Sequence, residues 1–166
     1  MKGLILLRHA KSSWKEPTLD DFDRPLNKRG RENVPLMGQR LAAKGECPDV
    51  ILSSPAKRAR STAHLVALEL YLSKKTICFV PDIYQADTQI LFEIVLNLDN
   101  AWQNVLIIGH NPGLTGLANH LAPCKLENLV SCGAVKLEFI VSNWKDIHPH
   151  SGFMHYYEYP KMISQL

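Results

Sequence analysis

Gly3-Leu4-Ile5-Leu6-Leu7-Arg8-His9-Ala10 is the stretch on which the reading of this chain turns. Gly3 to Leu7 is a short, unbroken apolar run, the pattern of a buried strand. It stops abruptly at Arg8-His9, with Lys11 close behind. A secretory signal would continue its apolar stretch where these cations stand, and a membrane span needs about 20 apolar residues. No run in the chain approaches that length. A cytoplasmic protein with no membrane partner is the expectation.

Working outward, similar short runs recur at Val50 to Ser53, Ile77 to Val80 and Val105 to Ile108. Ala134 to Val141 and Phe153 to Tyr157 mix in polar residues and read as strands nearer an edge. Helix-period segments lie between them. Ser54-Pro55 opens one over Pro55 to Leu70, and Asn111-Pro112 opens another over Gly113 to Leu121. Asp87 is placed to cap Thr88 to Leu98, where Ile90, Leu91, Ile94, Val95 and Leu98 form the apolar stripe. Lys28 to Lys44 contains Pro35, which predicts a kink there or a start near Asn33. Alternating strands and helices predict an α/β protein.

At 166 residues the chain is the size of one domain, so residues 1–166 are read as a single unit. Hydrophobic and charged fractions of 46% and 21% are those of a folded globular protein. The four cysteines, Cys47, Cys78, Cys124 and Cys132, form no CxxC pair, so reduced and mostly buried thiols are expected rather than disulfides or zinc. A net charge of +3 does not imply nucleic acid, and Trp14, Trp102 and Trp144 do not interleave with a basic stripe. His148-Pro149-His150 has no acidic or cysteine partner at ligand spacing and reads as a solvated loop; His64 and His120 fall inside helices as surface or structural residues. No metal and no cofactor are expected.

Three strand-to-helix junctions carry related cargo. The first strand ends in Arg8-His9, the second runs into Ser53-Ser54-Pro55-Ala56-Lys57-Arg58, and the fourth ends in Gly109-His110-Asn111-Pro112-Gly113. Carboxyl ends of parallel strands share one edge of a sheet, and ligands bind in the crevice there. One such arginine or histidine would be an ordinary surface or structural residue. Two of each at one edge would crowd positive charge with no benefit to stability, unless an anion sits among them. Helix N-termini after Ser54 and Asn111 add oriented N–H donors. Phosphate fits best, because the arginine fork grips its oxygens bidentately and phosphoryl transfer depends on positioning and charge stabilisation. The chain lacks a GxxxxGK[ST] loop and an aspartate-rich metal triad. A neutral imidazole is a competent nucleophile near pH 7.

The motifs Leu7-Arg8-His9, Asp23-Arg24-Pro25-Leu26-Asn27-x-x-Gly30, Ser53-Ser54-Pro55-x-x-Arg58-Ala59-x-x-Thr62-Ala63 and Gly109-His110-Asn111-Pro112-Gly113 resemble those of the histidine phosphatase superfamily, the phosphoglycerate mutase-like group. Their order, their spacing and the short chain look most like its SixA-type phosphohistidine phosphatases. The resemblance implies a three-layer α/β/α sandwich around a central, mostly parallel sheet. It implies His9 as the nucleophile that is transiently phosphorylated, with Arg8, Arg58 and His110 completing the phosphate pocket. The substrate implied is phosphohistidine on a protein or a small phosphate compound. Lys11, Ser12 and Asn111 are read as lining the pocket, and Arg24, on the long loop from Lys11 to Pro25, as touching the distal part of the substrate.

Two departures stand out. The usual glycine after Arg-His is Ala10, and the general acid that many members carry after the third strand has no clear counterpart in Pro81-Asp82-Ile83-Tyr84-Gln85-Ala86-Asp87. Asp82 and Asp87 are the candidates, with a surface turn and a helix cap as their alternative roles. A weak acid site favours substrates with good leaving groups, such as phosphohistidine and aryl phosphates. A phosphoglycerate mutase would need a longer specificity insertion, and a non-catalytic phosphate-binding module would have no use for the nucleophile.

Overall fold

The Lys2–Arg8 strand, β1, is buried over its first six residues and lies inside a six-stranded sheet. The protein is described here by a computed structural model covering residues 1–162. The other strands are β2 (Val50–Ser53), β3 (Ile77–Phe79), β4 (Asn104–Gly109), β5 (Ala134–Phe139) and β6 (Phe153–Glu158). The helices are α1 (Lys28–Ala43), α2 (Lys57–Glu69), α3 (Thr88–Leu96) and α4 (Gly113–Leu121). Strand order is β3-β2-β4-β1-β5-β6; the first four run parallel, and β5 and β6 add antiparallel pairings.

Successive strand residues point to opposite faces, and here both faces are covered. Leu4 and Leu6 of β1 pack with Leu91 and Val95 of α3 and Leu114 and Leu117 of α4. Ile5 and Leu7 pack with Val34, Met37 and Leu41 of α1 and with Ala63 and Val66 of α2. Two helix pairs on a mostly parallel sheet make the three-layer α/β/α sandwich, and the continuous apolar runs follow from double coverage.

The two later strands do lie nearer an edge, β6 at it and β5 beside it, and Lys136 of β5 is nevertheless buried because its Nζ reaches Glu46 at 2.8 Å. Several expectations need correction. β3, whose apolar run predicted a buried strand, forms the other edge and is only partly covered. α1 neither begins at Asn33 nor breaks at Pro35. Asn27 Oδ1 accepts the Gly30 N–H at 2.8 Å and starts the helix. Pro35 deprives only the carbonyl of exposed Arg31 of its helical donor, where water can reach it. α2 starts at Lys57 rather than Pro55, because Ser54 Oγ is used in the turn before it. The thiols are free, as expected, but Cys47 and Cys78 are exposed and only Cys132 is fully buried.

Gly30 has a tertiary reason to be glycine: a Cβ there would collide with the Lys11 carbonyl oxygen. That carbonyl also accepts the Asn27 N–H at 2.9 Å, so the start of α1 is fastened to the chain just after β1. Among the described residues no helix is long and apolar enough to cross a membrane.

Candidate active site

The carboxyl ends of β1, β2 and β4 lie side by side, with Arg8 level with Gly109 and Ser53 level with Ile108. Antiparallel β5 begins at the same edge, Leu7 facing Ala134. A cavity of about 420 Å³ opens there, and its walls include Arg8, His9, Lys11, Ser12, Arg24, Arg58, His110 and Asn111. All eight side chains expected at a phosphate site are thus brought to one cavity.

His9 is 9% exposed, and its Nδ1 lies 2.7 Å from its neighbour's carbonyl, Ala10 O. A carbonyl only accepts, so Nδ1 carries the proton and Nε2 presents a lone pair. Arg58 Nε points a donor at that Nε2 from 3.4 Å. Thr62 holds the arrangement from below: its Oγ1 accepts the Ala10 N–H at 3.1 Å and donates to Arg58 O at 2.8 Å. Burial first, then the nearby His110, Arg58 and Arg8, pull the His9 pKa down to about 3 against the opposing pull of the Ala10 carbonyl. The imidazole is neutral at neutral pH.

His110 sits with its ring centroid 5.0 Å from that of His9. Its Nδ1 faces Arg58 Nη2 at 3.4 Å, so the Nε2–H donates to Ser54 Oγ at 2.7 Å. Burial and then Arg58 lower its pKa to about 4, with Asp21 opposing and Arg8 adding to the fall. Arg8 Nη1 donates to Leu129 O at 3.0 Å, which ties β1 to the loop before β5.

The residue that sequence reasoning missed is Asp21. Its carboxylate takes Arg58 Nη2 at 3.0 Å, Tyr84 OH at 2.7 Å and Arg24 Nε at 3.2 Å, and its backbone carbonyl takes Arg58 Nη1 at 2.7 Å. Desolvation would raise the Asp21 pKa, but the Tyr84 and Arg58 hydrogen bonds and the Arg58 charge outweigh it and bring it down to about 2. Nothing local separates Asp21 from Asp20 and Asp23, because its partner Arg58 lies 37 residues on. Trp14, Asn27 and Ser131 also line the cavity and were not anticipated there. Arg24 is buried, lies 3.5 Å from the centre of the Trp14 ring and reaches Ser12 Oγ at 2.8 Å.

Asp21→Asn keeps an acceptor for Arg58 but removes a negative charge beside the cavity. Inorganic phosphate is expected to inhibit this variant about three- to tenfold more tightly, as competitive inhibition constants would show.

Asn111 lines the cavity but its amide is engaged elsewhere: Nδ2 with Asn128 Oδ1 and Leu129 O, both at 2.8 Å, and Oδ1 with Thr115. Asp87 Oδ1 accepts the Ile90 N–H at 2.9 Å and caps α3, while Asp82 lies exposed in the short helix Pro81–Ile83; neither lines the cavity. Asp87→Ala is expected to cost about 1 kcal/mol of stability through the lost cap. Turnover at a temperature well below the unfolding transition should be unchanged, and paired melting and kinetic assays would check both. Among the described residues no group of three or more His, Cys, Asp or Glu side chains is placed to hold a metal ion.

The family model of the histidine phosphatase superfamily (branch 1) matches residues 4–77. A chloroplastic protein of Arabidopsis thaliana, uncharacterized by name, is 32% identical over 160 residues, covering 91% of this chain and 72% of its own length. The chain belongs to the histidine phosphatase superfamily. Its enzyme class is accordingly phosphatase. A 2,3-bisphosphoglycerate-dependent phosphoglycerate mutase of Tropheryma whipplei is 33% identical over 72 residues, which cover 42% of this chain and 33% of the mutase. The protein histidine phosphatase SixA, solved with tungstate, superposes with a TM-score of 0.80 at 20% identity over 95% of this chain and 97% of that one. The sandwich is therefore the SixA and phosphoglycerate mutase-like fold, reached in a chain of SixA length.

Proposed function

We propose that this protein hydrolyses phosphoryl groups without a metal ion, through a phosphohistidine intermediate on His9, and that its substrate is phosphohistidine on a protein or a small phosphate compound with a good leaving group. The observation that carries the reading is the His9 imidazole: buried, neutral, locked with Nδ1–H on Ala10 O, and presenting Nε2 among the cations Arg8 and Arg58.

In the first step the Nε2 lone pair attacks phosphorus and the bond to the leaving group breaks, the leaving atom keeping the electron pair. Ring charge that develops on His9 is stabilised by the Ala10 carbonyl at 2.7 Å. The two long contacts of Arg58 with the histidines, both 3.4 Å, are the ones a phosphate oxygen replaces with stronger charge-assisted bonds. A bound phosphate also opposes the cationic influence on His110 and favours its imidazolium, which donates Nδ1–H to the transferring group. In the second step water attacks phosphorus, the Nε2–P bond breaks and inorganic phosphate leaves. Residues 1–162 supply these groups from one sheet edge, and the whole chain acts as one phosphatase domain.

Leaving-group chemistry supports the substrate class. Asp82 and Asp87 lie away from the cavity, and Asp21, held at about 2, has no proton to give at neutral pH. An alkoxide leaves poorly without an acid, whereas an aryl oxide, or an imidazole whose other ring nitrogen already carries a proton from solvent, leaves far more easily. Free thiols, two of them exposed, go with a reducing, cytoplasmic setting. The test is hydrolysis of a phosphohistidine peptide, p-nitrophenyl phosphate and a simple alkyl phosphate, each with and without EDTA. The first two are expected to turn over at least about 100-fold faster than the alkyl ester and to ignore EDTA. Comparable alkyl ester turnover, or loss of activity in EDTA, would overturn the reading.

A further inference from the structure

Arg8 is shared between two cavities. Beside the 420 Å³ catalytic cavity lies a second one of about 340 Å³, and Arg8, Lys11 and Ser131 line both. The second cavity adds Arg29 at the start of α1 and Lys161 near the chain end, together with neutral residues such as Asn128. Among the described residues no aspartate or glutamate lines it. In a chain with 19 basic and 16 acidic residues, four cations about one cavity without an acid is a local imbalance. Among the described residues, none of Arg8, Lys11, Arg29 and Lys161 appears in an ion pair.

The walls of this cavity are held in place. Arg40 of α1 donates to Tyr159 O at 2.7 Å and to Pro160 O at 3.3 Å, which pins the segment leading to Lys161 against the helix that carries Arg29. Lys11 is fixed from the opposite direction, because its carbonyl accepts the Asn27 N–H and packs against Gly30. Arg8 spends Nη1 on Leu129 O, while its buried Nε has no hydrogen-bond partner among the described residues. A buried unpartnered donor on a cation is costly unless a ligand satisfies it.

We propose that this second cavity receives a second anionic group of the same substrate, so that the enzyme prefers phosphate compounds carrying a further phosphate or carboxylate near the scissile group. The inference rests on the phosphatase reading above and adds a specificity to it. Arg8 contacts both anions from its place between the cavities, and Arg29 and Lys161 select for the second. Its source is either a second phosphate on a small molecule or acidic side chains flanking a phosphohistidine.

Binding of unreactive probes tests this independently of turnover. Calorimetry of benzene-1,3-bisphosphonate against phenylphosphonate is expected to show at least about tenfold tighter binding of the doubly anionic probe, the size of one or two charge-assisted hydrogen bonds. In the Arg29→Gln/Lys161→Gln double variant, two exposed substitutions, the ratio should fall to about twofold or less. A second arm compares kcat/KM for phosphohistidine peptides with glutamate or glutamine flanks, wild type against the double variant. A preference confined to the bisphosphonate supports a second phosphate as the source, and one confined to the glutamate peptides supports an acidic polypeptide; either sustains the subsite. No preference in either arm, or one that survives the double substitution, overturns it. Turnover of p-nitrophenyl phosphate by the same preparation reports separately on the phosphatase reading.

Discussion

His9→Ala is expected to lower hydrolysis of p-nitrophenyl phosphate by on the order of 10⁴-fold or more, the loss seen when a covalent nucleophile is removed from an otherwise intact site. Little could replace it, since His110 keeps its Nδ1 on Arg58 and its Nε2–H on Ser54. Acid quench of the wild type during turnover should trap label from a phosphoryl donor on the protein, and His9→Ala should trap none. Because His9 is buried, His9→Asn is the companion variant; it fills much of the volume and should be equally inactive with an unchanged melting temperature. The pH profile follows from the same group. A free histidine near 6.5 would lose its lone pair as pH falls through that value, but desolvation, with the neighbouring cations, brings His9 down to about 3. The nucleophile therefore stays deprotonated through pH 5, and kcat/KM corrected for substrate ionisation should show no break near 6.5. A wild-type rate that His9→Asn retains would end the proposed mechanism.

The second large effect is at Arg58. Arg58→Ala is expected to cost on the order of 10³-fold in kcat/KM, and Arg58→Lys still about 100-fold. Lysine keeps the charge but not the fork. Arg58 reaches His9 with Nε, His110 and Asp21 with Nη2, and the Asp21 carbonyl with Nη1, a planar set of directions that one ammonium cannot reproduce. Removing the side chain altogether also takes one of the two cations from Asp21, which stays an anion beside the cavity on Arg24 and Tyr84. Arg58→Ala should therefore bind phosphate more weakly than a loss of one hydrogen bond predicts. Restoring charge balance with Arg58→Ala/Asp21→Asn should recover phosphate affinity but not kcat. Recovery of both would mean that Arg58 acts only through its charge.

Much of this was legible in the chain because the decisive signals are local. The unbroken apolar run of Gly3 to Leu7 marks a doubly covered strand, and β1 is one. Asp87 caps its helix through a side-chain bond three residues long, so α3 starts where that residue stands. Arg8-His9, Arg58 and His110 each follow a strand, and parallel strands place their carboxyl ends on one edge regardless of detail. The expectations that failed concern long-range partners. Ile77 to Val80 suggested a buried strand because an apolar run does not show that β3 takes the edge of the sheet. Pro35 suggested a broken helix because its cost depends on which face of α1 meets water.

Membership of an α/β phosphate-handling fold, and the four side chains about its cavity, are thus properties of the sequence itself: periodicity, caps and strand-end motifs act over a few residues and need no partner. The tertiary structure alone decided that Asp21, of three aspartates in one loop, pairs with Arg58, that Asp82 and Asp87 stand apart from the cavity, and that Arg8 is shared with a second cationic cavity. Those facts depend on where segments tens of residues apart are packed, and on the burial that moves His9 and His110 far below an ordinary imidazole. Burial and partner geometry belong to the folded chain as a whole, which is why no reading of neighbours could supply them.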